Sequence, residues 1–133
     1  MRIAVKSILA VSAAALFTAV AVSPASADVT SGVVWFSNGA GKAIFNADPS
    51  GNKPGDAIRA CDDAADGWGI KTYMDIGSNG SVNRTVSTQG HNSPYCTGWA
   101  TGNLEEGTSV TWWGCMVKGT EVGHCTTKYT KKA

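Results

Sequence analysis

Asp62, Asp63 and Asp66 place three carboxylates within five residues, just ahead of Gly67, and form the densest polar cluster of this 133-residue chain. In a loop they are the candidate ligands for Ca²⁺, a hard cation that takes oxygen donors. Their spacing is not that of an EF-hand, which sets acids at alternate positions and closes with a bidentate Glu. A simpler reading uses the same residues. Asp62 and Asp66 accept hydrogen bonds from their own backbone in Asx turns, and Gly67 supplies a positive φ. That reading accounts for the cluster unaided, so no cofactor is expected.

Catalytic constellations are harder to assemble. His91 lies in a Gly/Ser/Pro loop, His124 sits beside Cys125, and no serine occupies a Gly-x-Ser-x-Gly elbow. Glu105 and Glu106 are adjacent, so on a strand they point to opposite faces and cannot flank one glycosidic bond. With no nucleophile, base and orienting group recognisable together, no catalytic residue is expected and the chain reads as non-enzymatic.

Aromatic residues offer a better lead. Trp112 and Trp113 are neighbours, so on a strand one faces the core and the other faces away. Trp112 is in phase with Val110 and Met116 and is the core residue. Trp113 shares its phase with Thr111 and Cys115, and the partner strand brings Tyr129 to the same side. Trp113, Tyr129 and Tyr73 are therefore the candidate ligand-binding aromatics, an exposed platform for a sugar ring or a protein groove. Alternatively, Trp113 packs on a neighbouring disulfide and stiffens the sheet.

The elements that position these groups begin after an export signal. Arg2 and Lys6 supply a positive start, residues 8–22 are almost unbroken apolar sequence, and Ala25-Ser26-Ala27 is a small-x-small cleavage site. Residues 1–27 read as a signal peptide and 28–133 as a single secreted domain. The apolar run is shorter than the roughly 20 residues of a spanning helix. No membrane span is expected after cleavage. Without Arg2 and Lys6, nine basic residues face ten acidic ones. Bulk charge draws neither nucleic acid nor an anionic membrane. Lys128, Lys131 and Lys132 read as a solvated end.

All four cysteines, Cys61, Cys96, Cys115 and Cys125, follow the cleavage site, and an even number in a small exported domain implies disulfides. A reversal near residues 118–122, with paired positions summing to 240, sets Cys115 opposite Cys125 and leaves Cys61 to Cys96. Loop entropy values the two bridges at roughly 2.8 and 3.8 kcal/mol. A zinc site from Cys115, His124 and Cys125 is the competing reading, but it lacks a Cys-x-x-Cys step.

Short runs of alternating or β-forming residues recur at 33–36, 41–46, 58–62, 68–75, 82–89, 95–100, 108–117 and 122–130, separated by Gly, Pro, Asn and Asp. Segments 58–62 and 68–75 read as a hairpin about the acidic corner. Asn79-Gly80 reads as a type I′ turn, and 103–107 as a turn with one helical turn. Residues 48–55 and 89–94 are surface loops. Seven or eight strands without an amphipathic helix give an all-β fold, a small antiparallel β-sandwich of Greek-key or immunoglobulin-like form with two disulfides.

Gly55-Asp56-x-Ile58, Cys61-Asp62, Ala65-Asp66-Gly67, the mid-chain Cys96 and the Val110…Cys115…Cys125 segment together resemble a group of small secreted actinobacterial two-disulfide β-proteins with no assigned activity. The resemblance implies export and a β fold and carries no functional residue. The expected product is a secreted, extracellular, monomeric binding module whose partner is a polysaccharide or an unknown protein. An inhibitor of an extracellular hydrolase, acting through loops 48–55 or 89–94, and a structural envelope or spore-associated component are the alternatives.

Overall fold

The computed structural model describes residues 32–133. The signal-peptide reading of 1–27 and the start at Asp28 lie outside the described residues. Nine strands form two antiparallel sheets that pack as a sandwich. One sheet orders β1 (Gly32–Trp35), β2 (Gly41–Asn46), β3 (Ala57–Asp62) and β6 (Tyr95–Cys96) as β1-β2-β3-β6. The other orders β5 (Arg84–Ser87), β4 (Gly69–Ile76), β7 (Ser109–Lys118) and β8 (Glu121–Cys125) as β5-β4-β7-β8, and β9 (Tyr129–Lys132) also pairs with β7. The connections β3→β4, β5→β6 and β6→β7 cross between the sheets. This is the small antiparallel β-sandwich expected from the strand pattern.

Alternation decides which side chains meet between the sheets. Ala43 and Phe45 of β2, Ile58 and Ala60 of β3, Ile70 and Met74 of β4, and Val110 and Trp112 of β7 are all buried. Their burial supplies most of the driving force, at about 25 cal/mol per Å² of apolar surface. Gly114 stands where the sheets come closest: a Cβ there would lie 2.9 Å from the Ala43 Cβ and 3.1 Å from the Phe36 ring. Neither neighbour can yield without moving its strand. Gly114→Ala should therefore lower stability by about 1–3 kcal/mol through overpacking. A urea titration reads this as a lower midpoint at unchanged slope.

Several local expectations are corrected. Segments β3 and β4 do not form a hairpin, because β2 and β6 take both edges of β3 while β5 and β7 take both edges of β4. The acidic corner is a crossing between sheets. The last expected strand divides into β8 and β9, which makes nine strands rather than seven or eight. At the break, the Thr126 hydroxyl accepts the Gly114 N–H at 3.0 Å, and the Thr126 N–H donates to the Gly114 carbonyl at 2.8 Å. Asn79-Gly80 is not a type I′ turn, since Gly77, Ser78 and Gly80 have positive φ and Asn79 does not. Asp75, in phase with Lys71 and Tyr73 on the outward side of β4, is only 5% exposed, with its carboxylate accepting the N–H groups of Asn79 and Gly80. No helical turn forms at 103–107.

Both disulfides have the expected partners, Cys61–Cys96 between β3 and β6 and Cys115–Cys125 between β7 and β8. No free cysteine remains, which excludes the zinc reading. The register reaches Cys125 by an unexpected route. The turn pairs Lys118 with Glu121 and Val117 with Val122, and an irregularity between Cys115 and Val117 then shifts the ladder by one.

Candidate ligand-binding cleft

At one end the sandwich is closed. Arg84 donates to the Asp56 carbonyl, and the Asp56 carboxylate accepts the Leu104 N–H at 2.8 Å. The opposite end of β3 carries the acidic corner, and there the sandwich opens.

The corner is built as its residue types require. Asp62 Oδ1 accepts the Ala64 N–H at 3.1 Å, Asp66 Oδ1 accepts the Trp68 N–H at 2.9 Å, and Gly67 has φ of 80°. Asp63 turns outward to an ion pair with Lys42 at 3.3 Å. The three candidate metal ligands are thus spent on two Asx turns and a salt bridge. Among the described residues, no group of three or more His, Cys, Asp or Glu side chains could hold a metal ion.

Loop 89–94 comes back over this corner. Thr88, fully buried, anchors its start by accepting the Ile70 N–H at 2.8 Å through its hydroxyl. The Ser93 hydroxyl donates to the Asp62 carbonyl at 3.3 Å, and the His91 ring stacks on Tyr95 at 3.9 Å between centroids. Gly69 makes the close approach possible, because a Cβ there would lie 3.0 Å from Gln89 backbone atoms. The β7–β8 turn forms a third wall: Gln89 Nε2 donates to the Gly119 carbonyl at 3.2 Å, and Lys118 stands 5.9 Å from the Trp68 ring. Between these segments lies a cleft of about 510 Å³, bordered by Asp62, Trp68, Gln89, His91, Asn92 and Ser93.

Asp62 is 3% exposed, and burial pushes its carboxyl above the ordinary value of 3.8, with the Asp66 and Asp63 charges adding to the rise. The Ala64 N–H and the Ser93 hydroxyl oppose it. A carboxyl whose pKa is raised by folding stabilises the fold below its unfolded pKa, and that contribution is lost as pH climbs through the folded value. Asp62→Asn keeps the Asx acceptor and removes the charge. Its stability relative to wild type should therefore improve as pH rises past the ordinary value of 3.8 and level off once the folded carboxyl has ionised. Urea midpoints taken through that rise check the sign, and a gap that widens in the other direction would overturn it.

The aromatic platform is only partly assembled. Tyr73 and Trp113 pair across β4 and β7 and stack at 5.3 Å and 6°. Tyr129 does not join them. It pairs with Trp112, lies 5.9 Å from that ring, and is 48% exposed at the opposite side of the sheet. The break before β9 moves the pairing on by one residue beyond the Cys115–Cys125 register, which moves each β9 side chain to the other face.

Nor are the ring faces open. Lys128 lies 4.1 Å from the Trp113 centroid and Lys71 lies 5.3 Å from that of Tyr73, so the outer sides of the stack are covered. The other tryptophans outside the core carry cations too: Lys42 over Trp35, Arg59 over Trp99 and, at the longer distance of 5.9 Å, Lys118 over Trp68. Trp35, 63% exposed on β1, went unremarked in the sequence as a surface aromatic; its signal was the alternation with buried Val34. Trp68 is half-buried at the cleft rim.

His91 borders the cleft, whereas His124 lines a smaller groove with Trp35 and Tyr129, so the two histidines do not converge. Compared with known proteins, the chain matches no family model, no curated protein and no solved structure.

Proposed function

We propose that this chain is an exported, non-enzymatic binding module whose end cleft receives a saccharide unit of a polysaccharide. The observation that carries the reading is the cleft's make-up. The Trp68 indole stands beside the amide, imidazole and hydroxyl groups of Gln89, His91, Asn92 and Ser93 around about 510 Å³. A sugar offers C–H faces to an indole and hydroxyls to such polar groups, and the volume suits a small ligand. Two disulfides fit an oxidising compartment, which supports export.

Titration with neutral oligosaccharides, followed by tryptophan fluorescence, tests the proposal. Trp68→Ala should weaken binding about tenfold, the loss expected for one aromatic contact. Asn92→Ala should weaken it by a smaller factor, and Trp113→Ala should leave it unchanged. If Trp113→Ala abolishes binding while Trp68→Ala does not, the cleft is not the site.

The anchoring of loop 89–94 favours a second reading, inhibition of an extracellular hydrolase by a stiff loop that binds at low entropic cost. It requires hydrolase inhibition that His91→Ala and Asn92→Ala weaken, with no saccharide bound.

A further inference from the structure

The lysine-rich tail is solvent-exposed, as expected, but it is paired into a sheet rather than free. In β9, Lys132 pairs with Ser109 and Thr130 with Thr111, and the Ala133 N–H donates to the Thr108 carbonyl at 2.9 Å. The tail thereby becomes part of the outward face of the five-stranded sheet. Lys132 Nζ donates to Ser109 Oγ at 2.8 Å, and Lys128 is held over Trp113, whose stacked neighbour Tyr73 carries Lys71.

These three lysines have no carboxylate partner among the described residues, where the ion pair formed is Lys42–Asp63. Among strand residues in register on this face, Asp75 is the carboxylate, and its oxygens are committed to Asn79 and Gly80. A chain with almost no net charge thus gathers unneutralised cations on one surface. Lys71 is in register with Cys115 and Lys132 with Ser109, six positions apart along β7. At about 3.4 Å per residue they are roughly 20 Å apart. A single small anion cannot reach both.

We propose that this face binds an acidic polysaccharide whose successive carboxylates meet Lys71, Lys128 and Lys132. The site is separate from the end cleft. Charge complementarity supplies the attraction, and the ring stack and Ser109 hold the ammonium groups in place, which lowers the entropic cost of binding. Trp113 has Tyr73 on one side and Lys128 on the other, so the face offers no open ring for an unstacked base, on which single-stranded nucleic-acid binding depends.

The test is retention of the folded, disulfide-bonded protein by polygalacturonate at low salt, with a single-stranded oligonucleotide of similar length and charge in parallel. Wild type should bind polygalacturonate, and binding should weaken as salt rises. Lys71→Gln, Lys128→Gln and Lys132→Gln together should weaken it about tenfold, as expected for three exposed charge contacts. Lys53→Gln, in the β2–β3 loop, should bind as wild type does. Absence of wild-type binding, retention by the triple variant, an equal loss in Lys53→Gln, or equal binding of the oligonucleotide would each overturn the proposal.

Discussion

Trp112→Ala is expected to lower the free energy of unfolding by about 3–5 kcal/mol, the range for removing a large buried aromatic. Trp112 is 1% exposed, and its ring lies 5.2 Å from Phe45 and 5.9 Å from Tyr129, bridging the sheets and the final strand. It also occupies the space above Gly32, where a Cβ would come within 2.3 Å of it. Loss of the indole therefore opens the core at β1, β2 and β9 together. Small domains have net stabilities of about 5–15 kcal/mol, so the variant should stand near the edge of folding. Trp112→Phe provides the contrast. The buried Trp112 Nε1 has no hydrogen-bond partner, and an orphaned donor costs about 1–3 kcal/mol. Phenylalanine loses packing but removes that donor, so it should cost less than half as much as alanine. Urea unfolding of the three proteins decides the matter. If phenylalanine costs as much as alanine, the unpaired N–H carries no penalty.

The core position of Trp112 was legible in the sequence because alternation is local. The same holds for β2, whose limits at Gly41 and Asn46 are those expected, and for the Asx turns at Asp62 and Asp66. Turn chemistry does not say where the chain goes next. Asp62 to Gly67 predicted a reversal, yet whether the following strand pairs with the preceding one depends on β2, β5, β6 and β7, which arrive from elsewhere in the chain. Loop 89–94 and the acidic corner were each singled out in the sequence, but their meeting around a cleft depends on those same long-range pairings. The misplacement of Tyr129 has a different cause. The break between Cys125 and β9 alters the phase, and no residue type marks it clearly. That small shift also carries Lys128 onto Trp113, so the reading of the tail changed with it.

Cys61→Ala/Cys96→Ala should cost more than Cys115→Ala/Cys125→Ala. The first bridge spans 35 residues and the second 10, for which loop entropy gives about 3.8 and 2.8 kcal/mol. The native contacts around each bridge widen the difference. Cys115 and Cys125 join a hairpin already held at Lys118–Glu121 and Val117–Val122, and Cys125 is exposed, so its removal leaves the strands paired. Cys61 is 1% exposed and ties β3 to β6, a strand of only two residues. Few other contacts secure that segment: Thr97 bonds to Ala60 and Arg59, and Ala100 bonds to Ile58. Without the bridge, Tyr95 is freed beneath His91, and Ser93 loses its fixed position over Asp62. The first variant should therefore lose oligosaccharide binding at the cleft even at temperatures where it remains folded, while polygalacturonate binding on the five-stranded sheet persists. Urea midpoints, together with amide exchange at residues 95–97, measure the two consequences separately. A greater loss of stability from the Cys115–Cys125 pair would show that the β7–β8 hairpin, rather than β6, is the element that depends on its cross-link.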